Sequence, residues 1–409
     1  MIFIYVIIIM VIIMKKTIVD FDFKDKTVVL RCDLNVPVKN GKIIDDSKIV
    51  KSLKSINYIV SNGGKVVILS HFGKIKSESD FVNNSLDVVY KRLRELVSFD
   101  ISFCSSLDFD VVKNSVFDVS YGNGILLENT RFYDIPNKLE SDCSDILSMF
   151  YASLGDIFIN DAFGTIHRGH ASNCGVANYL DSGIGFLIMD EISNLSILDN
   201  PDRPFVVIMG GAKLSDKLGV ISSLIEKVDY LLVGGAMSYT FLKAKGYNIG
   251  RCLYEDDYVS YCSLMLDKYG DKIVLPIDLY GSSEYSNDSL KRHVFVDLID
   301  NDFIGLDLGD ETISLFTSYL KDAKTIFWNG PVGVYEFSNY IEGSKKLLDF
   351  IGNIDAVSIL GGGDLVSCAN VLSCSSSFTY VSTGGGATLE YIVNKDLPGL
   401  VNIGEKDYE

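Results

Sequence analysis

The stretch Ile359-Leu360-Gly361-Gly362-Gly363-Asp364 has the makings of a phosphate cradle. An apolar run, 356–360, feeds three glycines, a carboxylate and a helix-like segment, 365–372. Glycines let a backbone approach a phosphate closely, and a helix start points unpaired N–H groups at the anion. Asp364, at the mouth of the turn, is placed to hold the Mg²⁺ that accompanies a nucleotide. A plain strand-to-helix turn capped by Asp364 would use the same residues. Three further glycine turns follow apolar runs, at Gly210-Gly211, Gly234-Gly235 and Gly384 to Gly386. Lys213 and Lys217 come after the first of them. On a helix they would share a face, and the neighbouring glycines favour phosphate contact over a solvated pair. Trp328-Asn329-Gly330-Pro331-Val332-Gly333 is a rigid turn, with Glu336 beyond it as an acceptor for ribose hydroxyls. Neither G-x-x-x-x-G-K-[ST] nor G-x-G-x-x-G occurs, which removes the P-loop and the dinucleotide fingerprint.

The first half carries a different chemistry. Arg31-Cys32-Asp33-Leu34-Asn35-Val36-Pro37 and Ser70-His71-Phe72-Gly73-Lys74 each end an apolar run. So do Glu128-Asn129-Thr130-Arg131-Phe132 and Asn160-Asp161-Ala162-Phe163-Gly164-Thr165, the latter followed by His167-Arg168-Gly169-His170. Any one of these cations suits a surface. Several at successive strand ends repel one another unless an anion offsets them. The expectation is an anionic small-molecule site in one half and a nucleotide site in the other.

The elements that must position these residues alternate. Strand-like runs at 27–31, 66–69, 101–103, 124–127 and 157–160 are interleaved with helix-like segments at 48–62, 86–97 and 146–154. The rhythm repeats from Phe205, with strands at 205–209, 230–233, 273–275, 325–328, 356–360 and 378–381, and helices at 218–228 and 238–245. Continuous apolar strands alternating with helices predict an α/β protein: two doubly wound domains, each a parallel sheet flanked by helices. A helix-like 187–198 before Asn200-Pro201-Asp202-Arg203-Pro204 marks the seam. The expected divisions are an apolar extension at 1–13, an N-terminal domain at 14–185 and an interdomain helix and hinge at 186–203. A C-terminal domain at 204–396 and a tail at 397–409, returning to the first domain, complete them.

Composition narrows the classes. At 409 residues the chain is long for one domain, and 47% hydrophobic content supports large cores. A net charge of −17 argues against nucleic-acid partners. The eight cysteines contain no C-x-x-C pair and read as reduced thiols of a cytoplasmic protein; Arg168 between His167 and His170 disfavours a metal site there. Met1 to Met14 is apolar, yet shorter than the roughly 20 residues of a membrane-spanning helix, and lacks the marks of a signal peptide. Met14 is the preferred start site, a weak membrane-associating segment the second reading, and no stable anchor is expected.

Taken in order, the motifs resemble the phosphoglycerate kinase family from about Lys15 to Gly399. They are R-x-D-x-N-V-P at 31–37, S-H-x-G at 70–73, L-E-N-x-R-F at 127–132 and N-D-A-F-G-T-x-H-R at 160–168. G-G-A-K-x-x-D-K at 210–217, W-N-G-P-V-G-V at 328–334, G-G-G-D at 361–364 and S-T-G-G-G-A at 382–387 follow. The resemblance implies reversible phosphoryl transfer from 1,3-bisphosphoglycerate to ADP, giving 3-phosphoglycerate and ATP with Mg²⁺, by a monomer that closes about a hinge. It assigns the glycerate to Asp33, Asn35, Lys48, His71, Phe72, Gly73, Lys74, Arg131 and Arg168. Lys217, Gly305, Glu336, Gly362, Gly363, Asp364 and Leu365 would bind nucleotide, with Asp364 at the metal. Lys48, Lys213, Gly363 and Gly385 would stabilise the transferring group.

Three positions depart from the family pattern. Lys48 and Lys74 stand where arginines are usual, and Leu365 where a threonine is usual. Lysine keeps the charge but loses the bidentate fork. These departures motivate an alternative, a catalytically weakened homologue acting as a binding protein.

Overall fold

The computed structural model describes residues 15–406, so the 1–13 extension and the Met14 start lie outside the described residues. The chain forms two compact units. One runs to Ser193 and resumes at Asn394; the other spans Asn194–Val393.

The first unit is built on a parallel sheet. Its strands are β1 (Thr27–Cys32), β4 (Lys65–Leu69), β5 (Ile101–Cys104), β6 (Gly124–Leu127), β7 (Ile157–Asp161) and β8 (Asp181–Ile184), in the order β5-β6-β4-β1-β7-β8. A two-residue-strand hairpin, β2 (Val38–Lys39) and β3 (Lys42–Ile43), projects after β1. β4 and β7 are buried along their whole length, as expected of strands covered on both faces. The helix Ser47–Ser61 buries Ile49, Ser52, Ser55, Ile56 and Ile59, one face at helical spacing, and stops ahead of Gly63-Gly64. The chain returns after the second unit: the Gly399 N–H donates to the Ile166 carbonyl at 2.7 Å and the Lys16 N–H to that of Gly404 at 2.7 Å.

The second unit repeats the plan. β9 (Phe205–Met209), β10 (Tyr230–Val233), β11 (Ile273–Val274), β15 (Thr325–Asn329), β16 (Val357–Gly361) and β17 (Tyr380–Val381) form a parallel sheet in the order β11-β10-β9-β15-β16-β17. The strand-like runs read from the sequence coincide with eleven of these twelve strands within one or two residues; β8, short and partly polar, escaped. Also unforeseen is an antiparallel sheet of β12 (Asp278–Ser282), β13 (Arg292–Phe295) and β14 (Ile304–Leu308). β13 alternates between half-buried and exposed residues and so lacks an apolar run. Among the described residues no helix is long and apolar enough to cross a membrane.

Each parallel sheet reverses direction next to its first strand, at β1/β7 and at β9/β15. The crevice beyond the carboxyl ends at such a reversal is where α/β sheets take ligands. At the first reversal, buried Asp161 accepts the N–H of Leu187 at 2.7 Å and so anchors the start of the helix Phe186–Leu195, while its Oδ2 has no hydrogen-bond partner among the described residues. Burial raises its pKa to about 7. The folded state then holds a proton that the unfolded chain, with an ordinary carboxyl of 3.8, has released, so stability falls as pH rises from about 4 to 7. Asp161→Asn should remove this loss and raise the melting temperature at pH 8 more than at pH 5, by roughly 1–3 kcal/mol in stability. Melting curves at the two pH values check it.

Candidate active site

In the first unit the ends of β1, β4 and β6 are stapled together by side chains. Buried Asn129 accepts the Phe72 N–H at 3.1 Å and donates to the Phe72 carbonyl at 2.7 Å. Its oxygen also takes the Arg131 N–H at 3.1 Å, which starts the turn Thr130–Asp134. Ser70 receives the Leu34 N–H at 2.9 Å, and Asn35 receives that of Gly73 at 2.9 Å. Gly73 has φ 61°, and a Cβ there would lie 1.8 Å from Asn84 Oδ1, so the turn accepts only glycine.

Charged groups converge on this frame. Lys48 Nζ lies 2.8 Å from the Asp33 carboxylate. Burial raises the Asp33 pKa, but Lys48 first, then His71 and Arg31, outweigh it and hold the carboxyl at about 2. Burial, reinforced by Arg31, Arg131 and Lys48, holds the His71 imidazole far below its usual value despite Asp33. That shift favours the neutral imidazole, whose Nδ1 lies 3.4 Å from Arg31 NH2. Arg31 is fully buried; its Nε donates to Ser172 Oγ at 2.9 Å, and its NH1 donates to the Cys32 carbonyl. Ser172 donates in turn to buried Glu140, with the Ser172 N–H 3.1 Å from the same carboxylate.

Arg131 is the outlier. It is half-buried, its Nε is buried without a hydrogen-bond partner, and its pKa is lowered first by burial and then by nearby Arg168. Arg168 and Lys74 are exposed. Phe72 is buried in the core, with both backbone polar groups engaged by Asn129, so it shapes the frame rather than presenting a side chain.

In the second unit the ends of β9, β15 and β16 meet in a knot of glycines. The Gly210 N–H donates to the Asn329 carbonyl at 2.9 Å and that of Gly211 to Pro331 at 2.8 Å. Gly362 has φ 93°, and a Cβ on it would stand 2.8 Å from Asn329 Nδ2, an amide nitrogen that is buried without a partner. Lys217 is buried and donates to Asn329 Oδ1; burial lowers its pKa to about 8 against the pull of Asp216 and Asp364.

Lys213 is exposed and lies ahead of the short turn Ser215–Lys217, and only then does the helix Leu218–Leu224 begin. The condition for a shared helix face is therefore not met, and the helix begins at Leu218 as its pattern suggested. Glu255 accepts the Leu214 and Ser215 N–H groups at 2.5 and 3.0 Å and pins the loop that separates them.

The helix after β16 starts at Gly363, two residues sooner than its sequence pattern suggested. Gly363 and Asp364 are exposed in its first turn. Leu365 is fully buried, so its side chain fills the core and only its backbone is available to a nucleotide. Gly385 has φ 56° with open space around it, and Glu336 is exposed. Gly305 lies in β14, where Tyr239 Oη occupies the room a Cβ would need.

Sequence reasoning missed Glu140 and Ser172 as supports of Arg31, and Asn129 and Asn329 as the residues that tie strand ends together. Both asparagines lie inside motifs already read. Glu140 and Ser172 are 32 residues apart and carry no local signal.

A group of cations at strand ends of one parallel sheet and glycine turns at strand ends of the other give the class, a two-unit α/β protein of doubly wound sheets. The model of the family described as phosphoglycerate kinase matches residues 18–395. Phosphoglycerate kinase of Listeria welshimeri is 47% identical over 394 residues, covering 96% of this chain and all of the relative. That of Lactobacillus delbrueckii subsp. bulgaricus is 47% identical over 404 residues, with the same coverage. Among solved structures, phosphoglycerate kinase from Coxiella burnetii superposes with a TM-score of 0.84 at 34% identity, over 95% of this chain and 98% of that one. The enzyme from Pyrococcus horikoshii OT3 gives 0.82 at 30% identity, with the same coverage. The chain belongs to the phosphoglycerate kinase family, and is accordingly a phosphotransferase with a role in glycolysis.

Proposed function

We propose that the first unit binds the phosphoglycerate and the second the nucleotide, and that a phosphoryl group passes directly and reversibly from 1,3-bisphosphoglycerate to ADP. The observation that carries this reading is Arg131: a buried, unpaired guanidinium nitrogen held beside Arg31 and Arg168, an arrangement that an anion relieves. Asp33 and Asn35 would accept and donate to the glycerate hydroxyl and carboxyl groups, while His71, Gly73, Lys74, Arg131 and Arg168 surround its phosphate end. Lys217 would meet the nucleotide phosphates, Glu336 the ribose and Gly305 the surroundings of the adenine.

Transfer of this kind is mainly positioning and neutralisation of charge on the equatorial oxygens, so no covalent intermediate is required. Lys48, Lys213 and the backbone at Gly363 and Gly385 are the proposed stabilisers, and residues 186–203 the proposed hinge. Asp364 would hold the metal. It is a single exposed carboxylate at a helix start, and among the described residues no group of three or more metal-binding side chains gathers. That suits Mg²⁺, which keeps phosphate and water as most of its ligands. Bound with the nucleotide, the ion would supply positive charge to the phosphates. The same reading makes the protein a cytoplasmic monomer without nucleic-acid partners, in keeping with its net charge of −17.

The test is formation of ADP from ATP and 3-phosphoglycerate with Mg²⁺, with the acyl phosphate trapped in a coupled reaction. Turnover with 3-phosphoglycerate alone among carboxylic acids supports the reading; nucleotide binding without turnover favours the weakened homologue. Lys48→Arg should raise kcat by up to about tenfold, since the planar fork matches a phosphoryl group better than an ammonium does. An unchanged or lower kcat would show a site adapted to lysine.

A further inference from the structure

Two thiols outside the proposed binding residues face each other in the first unit. Cys143 lies in the turn after Glu140, with φ 51°, and is half-buried. Cys174 lies in the turn Ala171–Gly175 and is buried. Their sulfurs are 3.5 Å apart, in contact without a bond, although 31 residues separate them in the chain. Room around them is tight: a Cβ on Gly175 would meet Ser148 Oγ at 2.1 Å and Cys143 Sγ at 3.1 Å. The arrangement is asymmetric in burial, with Cys143 half-buried and Cys174 buried. A hydrogen bond from Cys174 favours the thiolate on Cys143, the form that attacks.

We propose that Cys143 and Cys174 are a reversible dithiol–disulfide couple whose oxidant is a low-molecular-weight disulfide. Cys143 attacks one sulfur of that disulfide, whose S–S bond breaks and releases one thiolate. Cys174 gives its proton to solvent and attacks Cys143 Sγ from behind, forming the internal bond and releasing the second thiolate. Two electrons pass from the protein pair to the oxidant, which leaves as two thiols. In a reducing compartment the dithiol predominates, so the bond is a response to oxidation rather than a structural staple.

The same two turns carry Glu140 and Ser172, whose side chains orient Arg31, and the Ala171 N–H donates to the Glu140 carbonyl at 2.9 Å. Drawing the sulfurs together to a bond length of about 2.05 Å moves these turns against each other. The oxidised form therefore binds the acid substrate more weakly. This second step rests on the proposed placement of the glycerate; the couple itself does not.

The full-length protein is treated with oxidised glutathione and its peptides are mapped without reduction. The expected result is a linked pair containing Cys143 and Cys174, reversed by dithiothreitol. Cys174→Ser should instead retain glutathione on Cys143, and Cys143→Ser should form neither product. Unmodified Cys143, or glutathione retained on Cys143 in the unsubstituted protein, would overturn the couple. In the linked form KM for 3-phosphoglycerate should rise severalfold with KM for ATP unchanged, and Cys143→Ser should show no such response. A linked protein with an unaltered KM overturns the route through Arg31 while the couple stands. If the untreated protein does not turn over 3-phosphoglycerate, the functional reading fails and the peptide map still decides the couple.

Discussion

Lys217→Met should lower kcat by about 10²–10³ and, at the same time, raise thermal stability. Removing one preorganised donor aimed at developing charge typically costs that much in rate. The stability gain has a separate cause. The Lys217 ammonium is buried with Asn329 as its hydrogen-bond partner, and burial lowers its pKa to about 8. An unfolded lysine titrates near 10.5, so between about pH 8 and 10.5 the unfolded chain binds the extra proton and stability rises with pH. Methionine fills a similar volume without a charge to desolvate, and the variant should lose that rise. Nucleotide phosphates favour the charged lysine, so binding takes up a proton above pH 8 and ATP affinity should fall, by up to about tenfold per pH unit. Melting curves and ATP titrations at pH 7 and 9 check both halves. A variant with full kcat would remove Lys217 from the phosphate site.

Arg131→Ala should raise KM for 3-phosphoglycerate by about 30- to 160-fold, with KM for ATP nearly unchanged. A charge-assisted hydrogen bond to a buried anion is worth roughly 2–3 kcal/mol, which converts to that range. The free protein should be no less stable for the loss. Its Nε has no partner among the described residues, burial and Arg168 together lower its pKa, and the attraction of Asp134 and Glu140 offsets this only in part. A loss of stability equal to the loss of affinity would recast Arg131 as a structural residue. Arg131 keeps a buried Nε without a partner among the described residues, whereas Arg31 is engaged by Ser172 and the Cys32 carbonyl; the first is proposed to serve a ligand and the second the frame.

Eleven of the twelve strands in the parallel sheets were legible because they sit in apolar runs that end at glycine or a polar residue, a pattern contained within five or six neighbours. The glycine turns were legible for the same reason, and Gly73 and Gly362 indeed hold positive φ where a Cβ has no room. The antiparallel sheet β12 to β14 was not, since the alternation in β13 carries little apolar signal.

The sequence by itself determined the fold class and the family, because these are properties of short, ordered motifs. Only the tertiary structure decided how each side chain is used. It took Leu365 into the core and set Lys213 ahead of the turn that carries Lys217. It also set Glu140 and Ser172 behind Arg31, and Cys143 against Cys174. Burial and pairing set charge state and reach, and they join residues tens of positions apart that no local pattern connects.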